Sequence, residues 1–562
     1  MYQETYRAVE TALKDATGAA DVLLGDGGEH ADLASTIAFA LAKTEKKSPV
    51  VIAGGEITAA ITDTLAAAGI TVSTTGPYIN FIFGPAYVAG VVKVAGEPGY
   101  GRLAAVPGRV CIEHTSANPN GPLHVGHIRN SVIGDTLSRV FRKAGYDIDV
   151  QYYLNDMGRQ IAIVSWGFDY LDIPPQNEGE KDDHYVARVY VAANRALTAD
   201  PPAIKEEIDR RMGLIEQGDT EIVEKFRRAV SLCAEGIKVT LNRLNTPHDR
   251  FVWESGFVQD GSMVEILDRV EALPESSHDD ILAVDLTAFG FEKEYVLRRS
   301  DGTSVYAARD LAYHVWKGGE HFDRLINVLG ADHKLIGAQL QATMELLGEK
   351  VPEIVFFEFV SLPEGSMSTR AGKFISADEL IDEVTKKAFE EVTTRRPELP
   401  EEERRAIAAS VAIGAVRYDI VRVSQEKSTV FDWRQALDFE RQSAPYIQYS
   451  HARACSILAK AGEFTPAYEF TTASEIALAK HIGLFPVVLQ TVVEELRPHH
   501  LAIYARDLAD LFNTFYHTDP VLKAEAGGVR GCPVNPCPGG TEYPERSARN
   551  PWYRCNQKHV DP

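Results

Sequence analysis

Two histidines three residues apart close the run Asn118-Pro-Asn-Gly-Pro-Leu-His124-Val125-Gly126-His127. Prolines, asparagines and glycine make the first part of that run a loop. A strand candidate, Arg109 to His114, precedes it, and a helical period follows it. Such a strand-to-helix junction offers free backbone N–H groups and a positive dipole end, which suit a polyphosphate. His124 and His127 can both lie over the phosphates at the first helical turn. There they can donate hydrogen bonds to oxygens whose charge grows during attack on an α-phosphate. Gly126 removes a Cβ where a nucleotide would otherwise clash. Alone, His-x-x-His reads first as two surface histidines, with a metal pair as a further competitor. The strand before, the helix after and the Pro/Asn loop decide for phosphate.

These residues need elements to hold them. Ile128, Val132, Ile133, Leu137, Val140, Phe141 and Ala144 repeat at helical spacing, and Gly145 is the expected stop. Asp147 to Leu154 reads as a second strand, so the unit is βαβ and the sheet parallel. Residues 166–280 are polar with helical periodicity and read as a largely helical insertion. Strands are expected at Ile281 to Leu286, Leu325 to Leu329 and Ile354 to Val360, with a hairpin turn at Asp301-Gly302. A Gly-rich loop follows at 364–373. Before this core, Tyr2 to Ala16 has helical spacing, while Pro49 to Ala53 and Tyr78 to Phe83 read as strands. From about Glu401 the pattern is almost wholly helical.

The chain has 562 residues, which suggests three or four domains at roughly 150 residues each. Hydrophobic residues at 45% and charged residues at 25% place it among globular proteins. No unbroken apolar run reaches the ~18–20 residues of a membrane span, and the start lacks the regions of a signal peptide. A cytoplasmic protein with no membrane partner is therefore expected. The net charge of −22 argues against nucleic acid on its face, yet local basic patches on an acidic body can meet a folded RNA. Cys111, Cys233 and Cys455 have apolar neighbours and are expected reduced in cores. Cys532, Cys537 and Cys555 fit no zinc spacing, so no metal site is assigned. Residues 522–562 hold six prolines among sparse apolar residues and read as an irregular tail.

His124-Val-Gly-His127 resembles the "HIGH" signature of class I aminoacyl-tRNA synthetases. Ser366-Met367-Ser368-Thr369-Arg370, with Lys373 following, is similar to their second signature, "KMSKS". Ser366 and Thr369 stand where that pattern has lysines, and Arg370 and Lys373 are the nearby cations. Glu113-His-Thr-Ser116-Ala-Asn118 and Tyr306-Ala-Ala-Arg-Asp310-Leu-Ala-Tyr313 resemble motifs of the arginyl-tRNA synthetases. Val430 to Trp433, Ala444 to Arg453 and Phe512 to Pro520 are similar to the same family, and the likeness covers about residues 1–521.

The resemblance implies an α/β fold with four parts. These are an N-terminal α+β domain contacting tRNA (1–105), a Rossmann-type catalytic core (106–400), an all-α anticodon-binding domain (401–521) and the tail. It implies ATP-dependent activation of L-arginine to arginyl-adenylate and transfer to tRNA(Arg), by a monomer. Glu113, Ser116, Asn118, Tyr306 and Asp310 would hold arginine, with Asp310 on the guanidinium, whose planar fork pairs best with a carboxylate. Asn118, His124, Val125, Gly126, His127, Asp332, Met367 and Ser368 would hold ATP, and His124, Gly126, His127, Arg370 and Lys373 would act in catalysis. Mg2+ would come with ATP, with no protein cage. The rivals are a class I synthetase for another amino acid and a non-catalytic tRNA- or protein-binding relative.

Overall fold

The computed structural model describes residues 1–519, apart from 29, 104–107, 200, 278–280, 301, 364–374, 440–442 and 462–465. Met367, Ser368, Arg370, Lys373 and the tail 522–562 lie outside the described residues. The chain divides into two compact units. One takes Leu103–Tyr446 with Thr491–Ala502, the other Met1–Arg102 with Ile447–Gln490 and the chain from Ile503 onward.

The first of these is built on a five-stranded sheet. Its strands are β1 (Arg109–Glu113), β2 (Asp147–Leu154), β3 (Arg250–Trp253), β4 (Arg324–Gly330) and β5 (Glu353–Phe357). They lie in the order β5-β4-β1-β2-β3, and every pair is parallel. Val110, Cys111 and Ile112 of β1 are all buried, as a strand covered on both faces requires. The chain steps outward from β1 through β3, then returns to the other side of β1 as β4. That reversal makes the carboxyl ends of β1 and β4 a switch point, where open α/β sheets bind ligands.

Helix α1 (Val125–Ala144) follows β1 and stops at Gly145, whose φ of 111° is left-handed. Its apolar stripe, Ile128, Val132, Leu137 and Phe141, is fully buried. Gly134 lets the helix approach the strand end closely, since a Cβ there would stand 2.3 Å from the His114 side chain. Helices at Arg159–Tyr170, Asp182–Ala199, Pro201–Glu216 and Thr220–Arg243 fill most of the predicted insertion. It is not wholly helical, because β3 lies inside it and forms the sheet edge beside β2. Four partly exposed residues are too short a run to show period two. The strand expected at Ile281 to Leu286 is Leu282–Val284, and it forms a small antiparallel sheet with Tyr295–Arg298 and Ser276–Ser277. It leads through Gly302, at φ 82°, to helix α2 (Tyr306–Gly319). Helix α3 (Ala377–Arg395) starts at a capping box of Ser376 and Glu379.

The second unit carries a four-stranded antiparallel sheet with Tyr78–Phe83 at its centre. The strand expected at Pro49 to Ala53 is helical instead: Pro49–Ile52 is α-helix and Ala53–Ile57 a π turn. Ser48 before Pro49 is a helix start, and it overrides the β preference of Val50 and Val51, which are exposed. The helical stretches Pro49–Ala67 and Ala473–Glu495 match a membrane span in length and mean apolarity. A search for unbroken apolar runs passes over them because Glu56, Asp63 and Lys480 interrupt them. Ile57, Ile61, Leu65, Leu478 and Leu489 on these stretches are buried within the protein.

Candidate active site

The histidine pair forms the start of α1. His124 is the cap residue: its Nδ1 accepts the Gly126 N–H at 3.1 Å, and its own N–H donates to His127 Nδ1 at 3.2 Å. The rings stack with centroids 3.7 Å apart. Because both Nδ1 atoms accept from backbone, each neutral ring carries its proton on Nε2, as assigned from this network. Burial lowers the pKa of both, and His127, further depressed by its neighbour, falls to about 3. At neutral pH the pair is therefore a set of uncharged N–H donors at a helix start. A Cβ on Gly126 would come within 2.9 Å of the His124 ring. The neighbouring imidazole thus occupies the space that the sequence assigned to a nucleotide.

The segments on both sides of 364–374 reach the same place. Ala377 N–H donates to Leu123 O at 2.7 Å, and Ser376 bridges His124. Upstream, the fully buried guanidinium of Arg129 donates to Glu358 O at 2.7 Å and Phe359 O at 3.3 Å. Its other nitrogen donates to Ser424 O and Lys427 O at 3.1 and 2.8 Å. In the chain, Arg370 and Lys373 thus lie between two anchors on the start of α1.

Asn327, Glu113 and Gln151 stand in one register row across β4, β1 and β2. Helix α2 reaches this row with two side chains. Lys317 Nζ, fully buried, donates to Glu113 Oε2 at 2.9 Å and Asn327 Oδ1 at 3.0 Å. Tyr313 OH donates to Gln151 Oε1 at 2.8 Å. The Asn327 amide donates to His314 Nε2 at 2.6 Å, and His314 Nδ1 meets the Asp310 carbonyl at 2.8 Å and its carboxylate at 3.3 Å. At the other end Ser116 Oγ donates to Glu113 Oε1 at 3.1 Å and accepts the Tyr153 N–H at 3.0 Å. Thr115 and Ser116 hold φ of 69° and 39°, unusual for residues with a Cβ. The Asn130 side chain fixes that bend by accepting the Thr115 N–H at 2.8 Å.

One hydrogen-bonded chain therefore joins Glu113, Ser116 and Asp310. The two carboxylates differ in charge balance. Glu113 is met by the Lys317 cation, whereas among the described residues Asp310 has only His314 as an ionic partner. Arg309, the obvious alternative for Asp310, pairs instead with buried Glu254. Burial works to raise the Asp310 pKa, but His314, Lys317 and His333 more than offset it, so the carboxyl is held below its ordinary value.

The remaining candidates are less connected. Tyr306 opens α2 and is 51% exposed. Asn118 is exposed and donates to Gln160 at 3.1 Å. Asp332 lies in the turn after β4, exposed, 3.2 Å from His333 Nδ1. No group of three or more His, Cys, Asp or Glu among the described residues is placed to hold a metal. Lys317, His314 and Asn327 were not singled out from the sequence. The spacing Asp310, His314, Lys317 was a usable signal, since i, i+4 and i+7 share one helix face.

Three sequence families match this chain. "tRNA synthetases class I (R), catalytic domain" covers residues 100–433, "DALR anticodon binding domain" covers 447–530, and "Arginyl tRNA synthetase N terminal domain" covers 5–83. An arginine–tRNA ligase of Methanoregula boonei is 64% identical over 534 residues, 94% of this chain and 95% of its own. One of Methanosarcina mazei is 53% identical over 511 residues, with 89% of both chains covered. The Thermus thermophilus arginyl-tRNA synthetase structure matches with a TM-score of 0.79 at 30% identity, covering 93% of this chain and 94% of that one. On these matches the chain belongs to the arginyl-tRNA synthetase family of class I aminoacyl-tRNA synthetases.

Proposed function

We infer that this protein joins arginine to tRNA in two steps. Arginine and ATP give arginyl-adenylate and pyrophosphate, and the arginyl group then passes to the tRNA 3′ end. The observation that carries the amino-acid assignment is the charge balance at the β1–α2 network. With Glu113 already met by Lys317, Asp310 is the carboxylate left for a guanidinium. Glu113 and Ser116 then shape the adjoining end of the arginine site, with Tyr306 and Asn118 beside it.

The arginine carboxylate attacks the α-phosphate, and no protein nucleophile is needed. The chain's part is positioning and stabilisation of developing charge. His124 and His127 serve as neutral donors, which cost no proton transfer as the charge grows. Val125 and Gly126 bring backbone to the phosphates, and Asp332 at the end of β4 takes the nucleoside side. Met367, Ser368, Arg370 and Lys373 complete the phosphate contacts. Magnesium travels with the triphosphate, bound mainly through the phosphate oxygens. The N-terminal residues 1–105 contact the tRNA body and 401–521 the anticodon, in a cytoplasmic monomer. The exposed ring pair Tyr78 and Phe39, 5.6 Å apart, supports an RNA-facing surface, since such rings stack unpaired bases.

The test is pyrophosphate exchange and aminoacylation across the twenty amino acids, with and without tRNA. Arginine alone should be activated and charged. Exchange driven by another amino acid would overturn the specificity, and tRNA binding without any charging would overturn the enzyme reading.

A further inference from the structure

Lys317 decides more than the charge balance at Glu113. An ammonium offers only hydrogens, so the Asn327 atom it meets at 3.0 Å is the amide oxygen. The Asn327 amide nitrogen then faces His314 Nε2 at 2.6 Å. That amide nitrogen can only donate, so His314 Nε2 accepts and carries no proton. The ring's proton lies on Nδ1, 2.8 Å from the Asp310 carbonyl and 3.3 Å from its carboxylate. Lys317, Asn327 and His314 are each 2% exposed or less, so they choose partners among themselves rather than in solvent.

This relay draws on three elements. Asn327 comes from β4, in register beside Glu113 of β1, while Asp310, His314 and Lys317 come from α2. It runs from the Glu113 end of the site to Asp310, each step fixed by the donor or acceptor before it. Its product is a neutral imidazole against Asp310. An imidazolium would set an Nε2–H against the Asn327 amide hydrogens, two donors at 2.6 Å. A neutral N–H orients the carboxylate and leaves its charge in place. An imidazolium would pair with that charge and compete with an incoming cation.

We propose that Asn327 is a positioning residue that holds His314 as the neutral Nδ1–H form, so that Asp310 is oriented yet remains a charged acceptor for the guanidinium of arginine. This rests on the reading of Asp310 as the guanidinium carboxylate. Neither Asn327 nor His314 needs to touch the substrate, since both act through Asp310.

Nitrogen NMR of ring-labelled histidine in the unmutated full chain reads the tautomer, with the His314 signals assigned by their loss in His314→Asn. It should show Nδ1 protonated and Nε2 bare, and a protonated Nε2 overturns the proposal. Asn327→Asp keeps the shape but offers His314 an acceptor, which draws a proton onto Nε2. Aminoacylation with arginine and ATP varied separately should then show KM for arginine raised by roughly tenfold, the scale of one hydrogen bond to a charged group, with KM for ATP within about twofold. His314→Asn supplies an N–H to the Asp310 carbonyl without a second ring nitrogen. In that background Asn327→Asp should raise arginine KM by less than about threefold. An equal rise in both backgrounds, or arginine and ATP constants rising together, marks a merely structural role and overturns the proposal. An Asp310→Asn enzyme that still uses arginine normally removes the reading of Asp310 and this proposal with it. Loss in Asp310→Asn with no change in Asn327→Asp removes this proposal alone.

Discussion

His124 accepts a hydrogen bond from the helix it caps and donates one to His127, so the backbone settles where each ring carries its proton. Spacing alone left a phosphate site, a metal pair and a surface pair open, because tautomer and burial are properties of the folded chain. The pair should act on the transition state. Alanine at either position should lower kcat by roughly 10²–10³, the scale for losing one preorganised donor, and a loss confined to KM for ATP would count against it. Glu113 and Asp310 could both be picked out as carboxylates, but only the family resemblance put Asp310 on the guanidinium; no local pattern did. Lys317 and Asn327 distinguish them, and Asn327 arrives from a strand far along the chain through a register no local pattern encodes. Asp310→Asn keeps shape and removes charge. It should lower kcat/KM for arginine by roughly 10²-fold or more while sparing ATP, because an unmatched buried charge costs several kcal/mol. A change under about fivefold would move the guanidinium to another carboxylate.

Helix α1 ties the elements of the site together through Arg129. Among the described residues this buried cation has no carboxylate partner; it is held by four carbonyl oxygens from two separate segments, 358–359 and 424–427. Burial lowers its pKa to about 10, so it stays charged at neutral pH. Arg129→Met removes donors from all four carbonyls at once and should cost about 3 kcal/mol or more in denaturant unfolding. Because the segment toward 364 then loses its anchor, adenylate formation should fall further than arginine affinity. Unfolding within about 1 kcal/mol of the parent would show that the carbonyls find water instead. The β1–α1–β2 unit was legible because apolar runs, helical period and Gly145 agree. Where local signals conflicted they failed: Val50 and Val51 suggested a strand, but Ser48-Pro49 starts a helix. The edge strand β3 was hidden among helices because its four residues carry no period of their own.

Composition misleads at the scale of the whole molecule, since charge counts do not say which charges are spent inside. Lys317, Arg129, Arg211 and Arg309 are all buried, so the −22 total neither maps the surface nor identifies an RNA partner. Buried histidines make a sharper statement. His114, His127 and His248 belong to one unit, and burial lowers the pKa of each: His127 to about 3, His248 to about 4, and His114 well below 6.5. Well above pH 6.5, from about pH 7.5, neither the folded nor the unfolded chain protonates them appreciably. As pH falls below 6.5 the unfolded chain binds these protons while the folded chain does not, so stability is lost toward pH 4. The depressed carboxyl of Asp378 has its effect elsewhere, because its contribution is complete above its ordinary value of 3.8 and fades only below that. His248→Gln isolates one group. A Gln amide can still donate to the His114 carbonyl that His248 Nε2 contacts at 3.2 Å, but it cannot titrate. Four of the five tryptophans, Trp166, Trp253, Trp316 and Trp433, lie in the same unit as His248, so the change in tryptophan fluorescence in denaturant mainly follows that unit. Between pH 7.5 and 5.5 the parent should lose about 1.4 kcal/mol more than His248→Gln, from one histidine whose folded pKa lies below the window. Equal losses in the two proteins would mean that His248 is protonated in the folded state as readily as in the unfolded one, and that its burial has no bearing on the acid limit of the fold.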